Sequence, residues 1–439
     1  MTPQVDVSKY VARVKACRGP KPLGRVAEVV GVLVEVEGVH APVGSQLEVA
    51  TREGPLPLEV LGFRAGRLLT APLGSTTGIS PGTPVRLRPR LGLAAVGDAL
   101  LGRVLDAFGR PLDGAPPPRL EGRVSLRAPP PAPFARRPIT EALPTGVRVL
   151  DALLPIGSGQ RIGLFAGTGV GKSTLLGMLC RHTAADVIVV GLVGERGREV
   201  GDFVRSSLGR EGLARSVVIA ATGDAPPLVR VRGALYATAI AEYFRDRGQR
   251  VLLLMDSVTR FAMALREATL SAGEPPLTKG YTPTVFAALP ALLERAGTCE
   301  GPGSITAVYT VLVEGDDLND PIADAVRGIL DGHVVLSRDL ANRGVFPAVD
   351  VLRSVSRIAI DVSTSQQLER ISKVREWFAA HESAADLIQI GAYVPGSDPR
   401  VDRARTAMPR LEALIRQGLQ EGVSRSAALN VLADVVERP

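Results

Sequence analysis

Cysteine, histidine, lysine and aromatic residues are all scarce in this chain of 439 residues, and each shortage removes a class of function. The cysteines, Cys17, Cys180 and Cys299, are odd in number and far apart. That fits neither a disulfide framework nor a zinc site, and it points to a reduced, cytoplasmic interior. The histidines, His40, His182, His333 and His381, form no HExxH and no Cys/His cluster, so each reads as structural rather than catalytic. Aromatics make up 4% of the chain, and Phe63 is the only one between Val26 and Leu91, which leaves little in that stretch for bases to stack on. No apolar run reaches the roughly 18 residues of a membrane span, and the opening MTPQVDVSKYVARVKACRGP lacks a signal-peptide core, so a soluble protein is expected.

The chain is 45% hydrophobic and 22% charged, enough for two or three domains with a sizeable core and too much for a disordered chain. Its formal charge of +7 is carried almost wholly by arginine and is spread out, so it names no partner by itself. Over residues 25–92, short alternating runs such as VAEVVGVLVEVEG are punctuated by glycines, the pattern of a small antiparallel barrel or sandwich. The next stretch, 93–139, holds the triplets Pro116–Pro118 and Pro129–Pro131, which forbid helix; it is expected to be a stiff linker between domains.

From 140 to 361, continuous Val, Ile and Leu runs (RIGLFAG, DVIVVGLV, SVVIAAT, VLLLMD, SITAVYTVL, HVVLS) alternate with helical patterns, among them REVGDFVRSSLG. This predicts a parallel sheet covered on both faces, an α/β core. Residues 362–439 carry helical periodicity only, and a small helical domain is expected there.

The strongest local signal is Ala166-Gly167-Thr168-Gly169-Val170-Gly171-Lys172-Ser173-Thr174, directly after the strand RIGLF and opening a helix. Glycines let backbone N–H groups turn in around phosphates, and the helix N-terminus adds its dipole. Lys172 would reach the β and γ phosphates of ATP, and the Ser173 hydroxyl would hold Mg²⁺. Ala166 stands where a first glycine is usual, which is tolerable if its φ is negative. Asp256, at the tip of VLLLMD, suits the second Mg²⁺-side oxygen, though it could also cap the following helix. Glu195, in GERGRE after DVIVVGLV, faces the same crevice and suits a general base for water; a solvated loop is the alternative. Asp316, Asp317 and Asp320 in EGDDLNDP do not match a calcium loop, and Asp320 before Pro321 suits a helix cap.

Six ordered blocks, GTGVGKST, GLVGERGREVGDFV, LLLMDSVTRFAMALREA, SAGEPPLTKGYTPTVFAALPALLERAG, VLVEGDDLNDPIADAVRGILDGHVVLSRDLA and FPAVDVLRSVSRI, resemble the type III protein-export ATPases of flagella and injectisomes, relatives of the catalytic subunit of rotary ATP synthases. The resemblance implies a RecA-like P-loop core with an N-terminal small β-barrel and a C-terminal helical domain. It also implies a homohexamer coupling ATP hydrolysis to chaperone release and unfolding of export substrates. It assigns Glu195 as the catalytic glutamate, Arg196 beside it near the γ phosphate, Asp256 on the magnesium side with Arg260 a turn later, and Phe346 against the adenine. Arg357 would be an arginine finger for the neighbouring subunit's site. SAGEPPLTKGYTP would face the central hole, and residues 1–24, with VARVKACRG as an amphipathic helix, would meet a stator or regulator protein. The implied partners are a stalk protein, chaperone–substrate complexes and the membrane gate of the export apparatus. Peripheral membrane association is implied as well, and no specific nucleic acid. Two other readings share the barrel-plus-P-loop plan: a hexameric nucleic-acid translocase, disfavoured by the aromatic-poor barrel, and the catalytic subunit of a rotary ATP synthase.

Overall fold

The structure, a computed structural model, describes residues 23–52, 54–88, 92–313 and 317–438. The expected helix VARVKACRG and Asp316 lie outside these residues. The chain divides into two compact units, one of residues 1–92 with 271–274 and one of 93–270 with 275–439.

In the first unit, β1 (Leu23–Val30), β2 (Leu33–Glu37), β3 (Gln46–Thr51), β4 (Gly54–Arg64), β5 (Arg67–Pro72) and β6 (Pro84–Leu87) close into a barrel in the order β1-β2-β5-β4-β3-β6. Closure removes the sheet edges that an open meander would leave unpaired. Alternate residues of a strand share a face, so Val34 and Val36, Leu47 and Val49, and Leu58 and Val60 all point inward and are fully buried.

The second unit holds β7 (Leu93–Val96), β8 (Arg103–Asp106), β9 (Gly122–Ser125), β10 (Arg161–Ala166), β11 (Val187–Val193), β12 (Ser216–Ala221), β13 (Arg250–Asp256), β14 (Gly297–Thr298), β15 (Ser304–Leu312), β16 (Gly332–Leu336) and β17 (Val349–Ser356). Its main sheet runs β17-β16-β10-β15-β13-β11-β12-β8, with β14 on β15. From β16 to β8 the pairings are parallel; β17 is antiparallel to β16. Every residue of β11 and β12 is buried, as befits strands covered on both faces. All the carboxyl ends from β10 to β12 therefore open on one side, where ligands bind in such sheets.

The stretch 93–139 is not the plain linker its prolines suggest. β8 extends the main sheet beside β12, and β7 pairs with β9. Pro116–Pro118 falls between β8 and β9 and Pro129–Pro131 after β9, which leaves RVLD free to pair. The downstream end is clasped onto the second unit: Arg136 donates to the carbonyls of Glu294 and Ala296, and Arg137 donates to those of Cys299 (3.0 Å) and Pro302 (2.9 Å).

REVGDFVRSSLG also departs from a uniform α-helix. Gly197–Asp202 is α-helical, Phe203–Leu208 is π-helical, and a further α-helix, Gly209–Ala214, begins at a glycine held at φ 65°. The C-terminal helices Ser365–Ser383, Pro399–Ile415 and Arg425–Glu437 have no core apart. Leu411, Leu414 and Leu432 join one hydrophobic cluster with Leu175 and Leu179 of the helix that follows the glycine-rich loop.

Candidate active site

β10 ends at Ala166, in strand conformation, so that position needs no glycine. Gly169 and Gly171 do, with φ of 80° and 92°, a region that side chains with a Cβ avoid. At Gly171 a Cβ would also lie 3.2 Å from the Phe346 ring, which places that ring against the end of the loop. Buried Val170 anchors the loop between them, while Thr168 and Ser173 are exposed and Gly167 is buried. The helix Lys172–His182, with Thr174 in its first turn, starts from Gly171 and points its N-terminus at the crevice.

The Lys172 ammonium donates to Asp256 and stands 3.7 Å from Glu195. Asp256 is the last residue of β13, buried, and also accepts a 2.7 Å hydrogen bond from Thr310 on β15. The cap bond of the next helix comes from Ser257, whose hydroxyl accepts from the Arg260 N–H, so Asp256 is not spent on capping.

Glu195 lies two residues past the end of β11, on the strand neighbouring β13. Gly194, at φ 74°, leaves room for Arg260, whose Cβ would lie 2.8 Å from an added methyl. The Glu195 carboxyl is pushed up to about 7, chiefly because burial penalises the carboxylate; Lys172 opposes this, and Asp256 and Glu199 reinforce it. A glutamate titrating there can accept a proton near neutral pH. Glu195, Ser173 and Asp256 line one cavity of about 180 Å³ with Glu199, Val200, Phe203, Ser206 and Ser207.

Arg196, expected near the γ phosphate, stands elsewhere, and Arg357, expected to serve a neighbouring copy, does not line its own pocket. Arg196 leaves the cavity: its side chain is 82% exposed and pairs with Glu199 at 3.7 Å. Arg357 is at the opposite end of the sheet. Its N–H donates to the Asp331 carbonyl, and the Asp331 N–H donates to Arg161, the first residue of β10. Five residues of strand, about 17 Å, separate that level from Ala166 and the glycine-rich loop. Asp320 caps the helix Pro321–Ile329 by accepting from Ile322 and Ala323, as its place before proline predicts.

The sequence reading passed over Thr310 and Glu199. Thr310 is one of several hydroxyl residues in the buried run SITAVYTVL, and Glu199, on the helix Gly197–Asp202, is four residues beyond Glu195. Both signals are present but become specific only once the strands are assembled.

Comparison with known proteins agrees with this geometry along nearly the whole chain. Residues 146–356 match the ATP synthase alpha/beta family nucleotide-binding domain, 26–87 its beta-barrel domain, and 363–434 the T3SS EscN ATPase C-terminal domain. The chain is 52% identical to the flagellum-specific ATP synthase of Salmonella typhimurium over 421 residues, 93% of this chain and 92% of that one. The assembled ATPase EscN of the enteropathogenic E. coli type III secretion system is 42% identical with a TM-score of 0.89, covering 94% of this chain and all of that one. EscN in complex with its central stalk EscO gives 41% and 0.87, with the same coverage. On this likeness in sequence and fold, with a glycine-rich loop, a buried aspartate and a glutamate of raised pKa meeting where the strands end, the chain belongs to the ATP-hydrolysing enzymes of type III protein export, the flagellar and injectisome relatives of the ATP synthase catalytic subunits.

Proposed function

We propose that Glu195 is the general base that takes the proton of the attacking water. Lys172 and the amides of residues 167–174 hold the phosphates of ATP, and Phe346 takes the adenine face. Arg357 completes the pocket of a neighbouring copy. The observation that carries this reading is the Lys172 ammonium held between Asp256 and Glu195 at the carboxyl ends of β13 and β11. A bound triphosphate offers Lys172 a stronger anion, which frees the Asp256 carboxylate. Ser173 and Asp256 then present hard oxygen donors on one cavity, a set that suits Mg²⁺, which takes one or two carboxylates and leaves its other positions to water and phosphate. When bound, Mg²⁺ neutralises charge on the β and γ oxygens. Glu195, less solvated than an ordinary glutamate, keeps the basicity that proton abstraction needs.

The distance from Arg357 to its own loop favours action in trans, in a ring of identical subunits, six by the family resemblance. The assembled EscN supports such a ring, and its complex with EscO supports a stalk partner. Coupling of hydrolysis to export of protein substrates at the cytoplasmic face of a membrane apparatus follows from the same kinship. Among the described residues no helix is long and apolar enough to cross a membrane. Glu195→Gln, which keeps size and removes basicity, is expected to retain ATP binding and to lower turnover by about 10²–10⁴-fold. Near-normal turnover would remove Glu195 from this role.

A further inference from the structure

The wall of the cavity beside Glu195 is the π-helical turn Phe203–Leu208, which contributes Phe203, Ser206 and Ser207 to the lining. A π turn bonds i to i+5 and is locally wider than an α-helix. What holds this one is a side chain from another element. Arg181, near the far end of the helix Lys172–His182, donates from one guanidinium nitrogen to the carbonyls of Ser206 (2.9 Å) and Ser207 (2.7 Å). Close approach is permitted by Gly177 on the same helix, where a Cβ would come 2.9 Å from that of Ser207.

The other terminal nitrogen of Arg181 donates to the Leu419 carbonyl at 3.0 Å, in the loop that follows the helix Pro399–Ile415. That loop is seated closely. Gly422 lies over His182, where a Cβ would be 2.7 Å from Nδ1. Gln417, 7% exposed, donates to the carbonyls of Gly146 and Glu421 (2.7 Å each) and accepts from the Arg148 N–H (2.6 Å). Its own N–H donates to the Phe346 carbonyl at 2.8 Å. One C-terminal loop thus touches both ends of the pocket, the Phe346 side through Gln417 and the Glu195 side through Arg181.

We propose that Arg181 is a positioning residue, a strut that ties the π-helical wall beside Glu195 to the 417–422 loop, so that displacement of the C-terminal helices is read by the hydrolytic step rather than by nucleotide affinity. The inference rests on Glu195 as the base. The guanidinium suits the task because its planar fork serves carbonyls on two elements at once, whereas an ammonium offers one compact point. Misplacing a reacting group by about 1 Å can cost 10²-fold in rate, so loss of one strut bond suffices to slow chemistry while the nucleotide stays bound. Arg215 provides the contrast. It also serves this helix end, donating to the carbonyls of Cys180, Arg181, Thr183 and Ala185, none of which belongs to the wall or to the loop.

The test is steady-state ATP hydrolysis by the full-length assembled protein carrying Arg181→Ala, Arg181→Lys or Arg215→Lys, with melting temperature read in parallel. Arg181→Ala is expected to lower kcat about tenfold with KM for ATP within about twofold of wild type, and Arg181→Lys to recover part of that loss. Arg215→Lys is expected to lower the melting temperature and leave kcat unchanged. Wild-type kcat in both Arg181 variants would overturn the proposal, as would a fall in which Arg215→Lys follows Arg181→Lys in kcat and melting temperature alike. Should Arg181→Ala fail to fold, Arg181→Lys against Arg215→Lys decides by the same criteria. Glu195→Gln run alongside keeps the two assignments separate. Turnover retained there removes the base, while an inactive Glu195→Gln beside fully active Arg181 variants removes only the strut.

Discussion

The raised pKa of Glu195 makes the pH dependence of turnover a direct reading of the pocket. A base must be deprotonated to act, so activity is lost as pH falls through the folded-state value of about 7. The profile of kcat/KM reports groups of the free enzyme, which is the state in which Lys172, Asp256 and Glu199 set that value. One titrating group at about 7 predicts kcat/KM at pH 6 about tenfold below its alkaline plateau, whereas a glutamate at its ordinary value would show almost no loss there. ATP itself gains a proton in the same range, so the assay must tell the two apart. Measurement from about pH 5.5 to 8.5 with Mg²⁺ in excess should be repeated on Glu199→Gln. The neutral amide removes a carboxylate that pushes Glu195 upward by hydrogen bond and charge, so the acid limb should move to lower pH. A limb belonging to the nucleotide would stay in place. A flat profile down to pH 5.5, or a limb indifferent to Glu199→Gln, refutes the assignment of this titration to Glu195.

Two further outcomes test the fold and the assembly. Arg295 and Glu242 form an almost fully buried pair, with side chains 1% and 9% exposed, and Arg295 also donates to the Leu126 carbonyl; Glu242→Ala strands that charge and should destabilise the second unit by about 3–5 kcal/mol in denaturant unfolding, while a loss under about 1 kcal/mol would contradict the burial. Lys172→Ala and Arg357→Ala should each be inactive alone, yet a mixture assembled from equal amounts should recover about one quarter of the pockets, since a competent pocket needs Lys172 from one copy and Arg357 from the next; no recovery on mixing would place Arg357 outside the neighbour's site.

How much of this was legible beforehand depends on whether a feature is local. β10, β11, β12 and β13 carry continuous apolar runs, and β15 is interrupted only by small hydroxyls and Tyr309, so strands buried on both faces are recognised with little else. Val34, Val36, Leu47 and Val49 alternate strictly, which suffices for a barrel wall. The glycine-rich loop carries its own conformational demand at Gly169 and Gly171. β8 was hidden because RVLD is short, sits among prolines and pairs with residues 217–220, more than a hundred positions away. The π-helical turn has no signature in FVRSSL, since the shift from i+4 to i+5 is stabilised by Arg181 from another helix. Backbone carbonyls carry no sequence identity, so a strut that recognises carbonyls leaves no motif.

On the proposed role of Arg357, the same distinction makes hydrolysis conditional on assembly. Within one chain the pocket is already balanced, with Lys172 shared by Asp256 and Glu195 and Asp256 steadied by Thr310. A triphosphate brings several negative charges to this pocket, and Lys172 can turn to them only by leaving its carboxylates. In the proposed reading the compensating positive charge would arrive from outside the protomer, from Mg²⁺ on the Ser173 and Asp256 side and from a guanidinium on the other. Arg357 cannot supply it to its own pocket, because it is fixed at the level of Arg161 by the Asp331 ladder bonds while the loop begins where β10 ends. In the proposed reading, a neighbour that places its Arg357 end against this crevice would supply it, and an arginine so placed would be worth about 10³–10⁵ in rate. On the proposed roles, a lone protomer is expected to bind nucleotide with its own residues and to hydrolyse it slowly, and the ring would be the unit in which a cycle is completed.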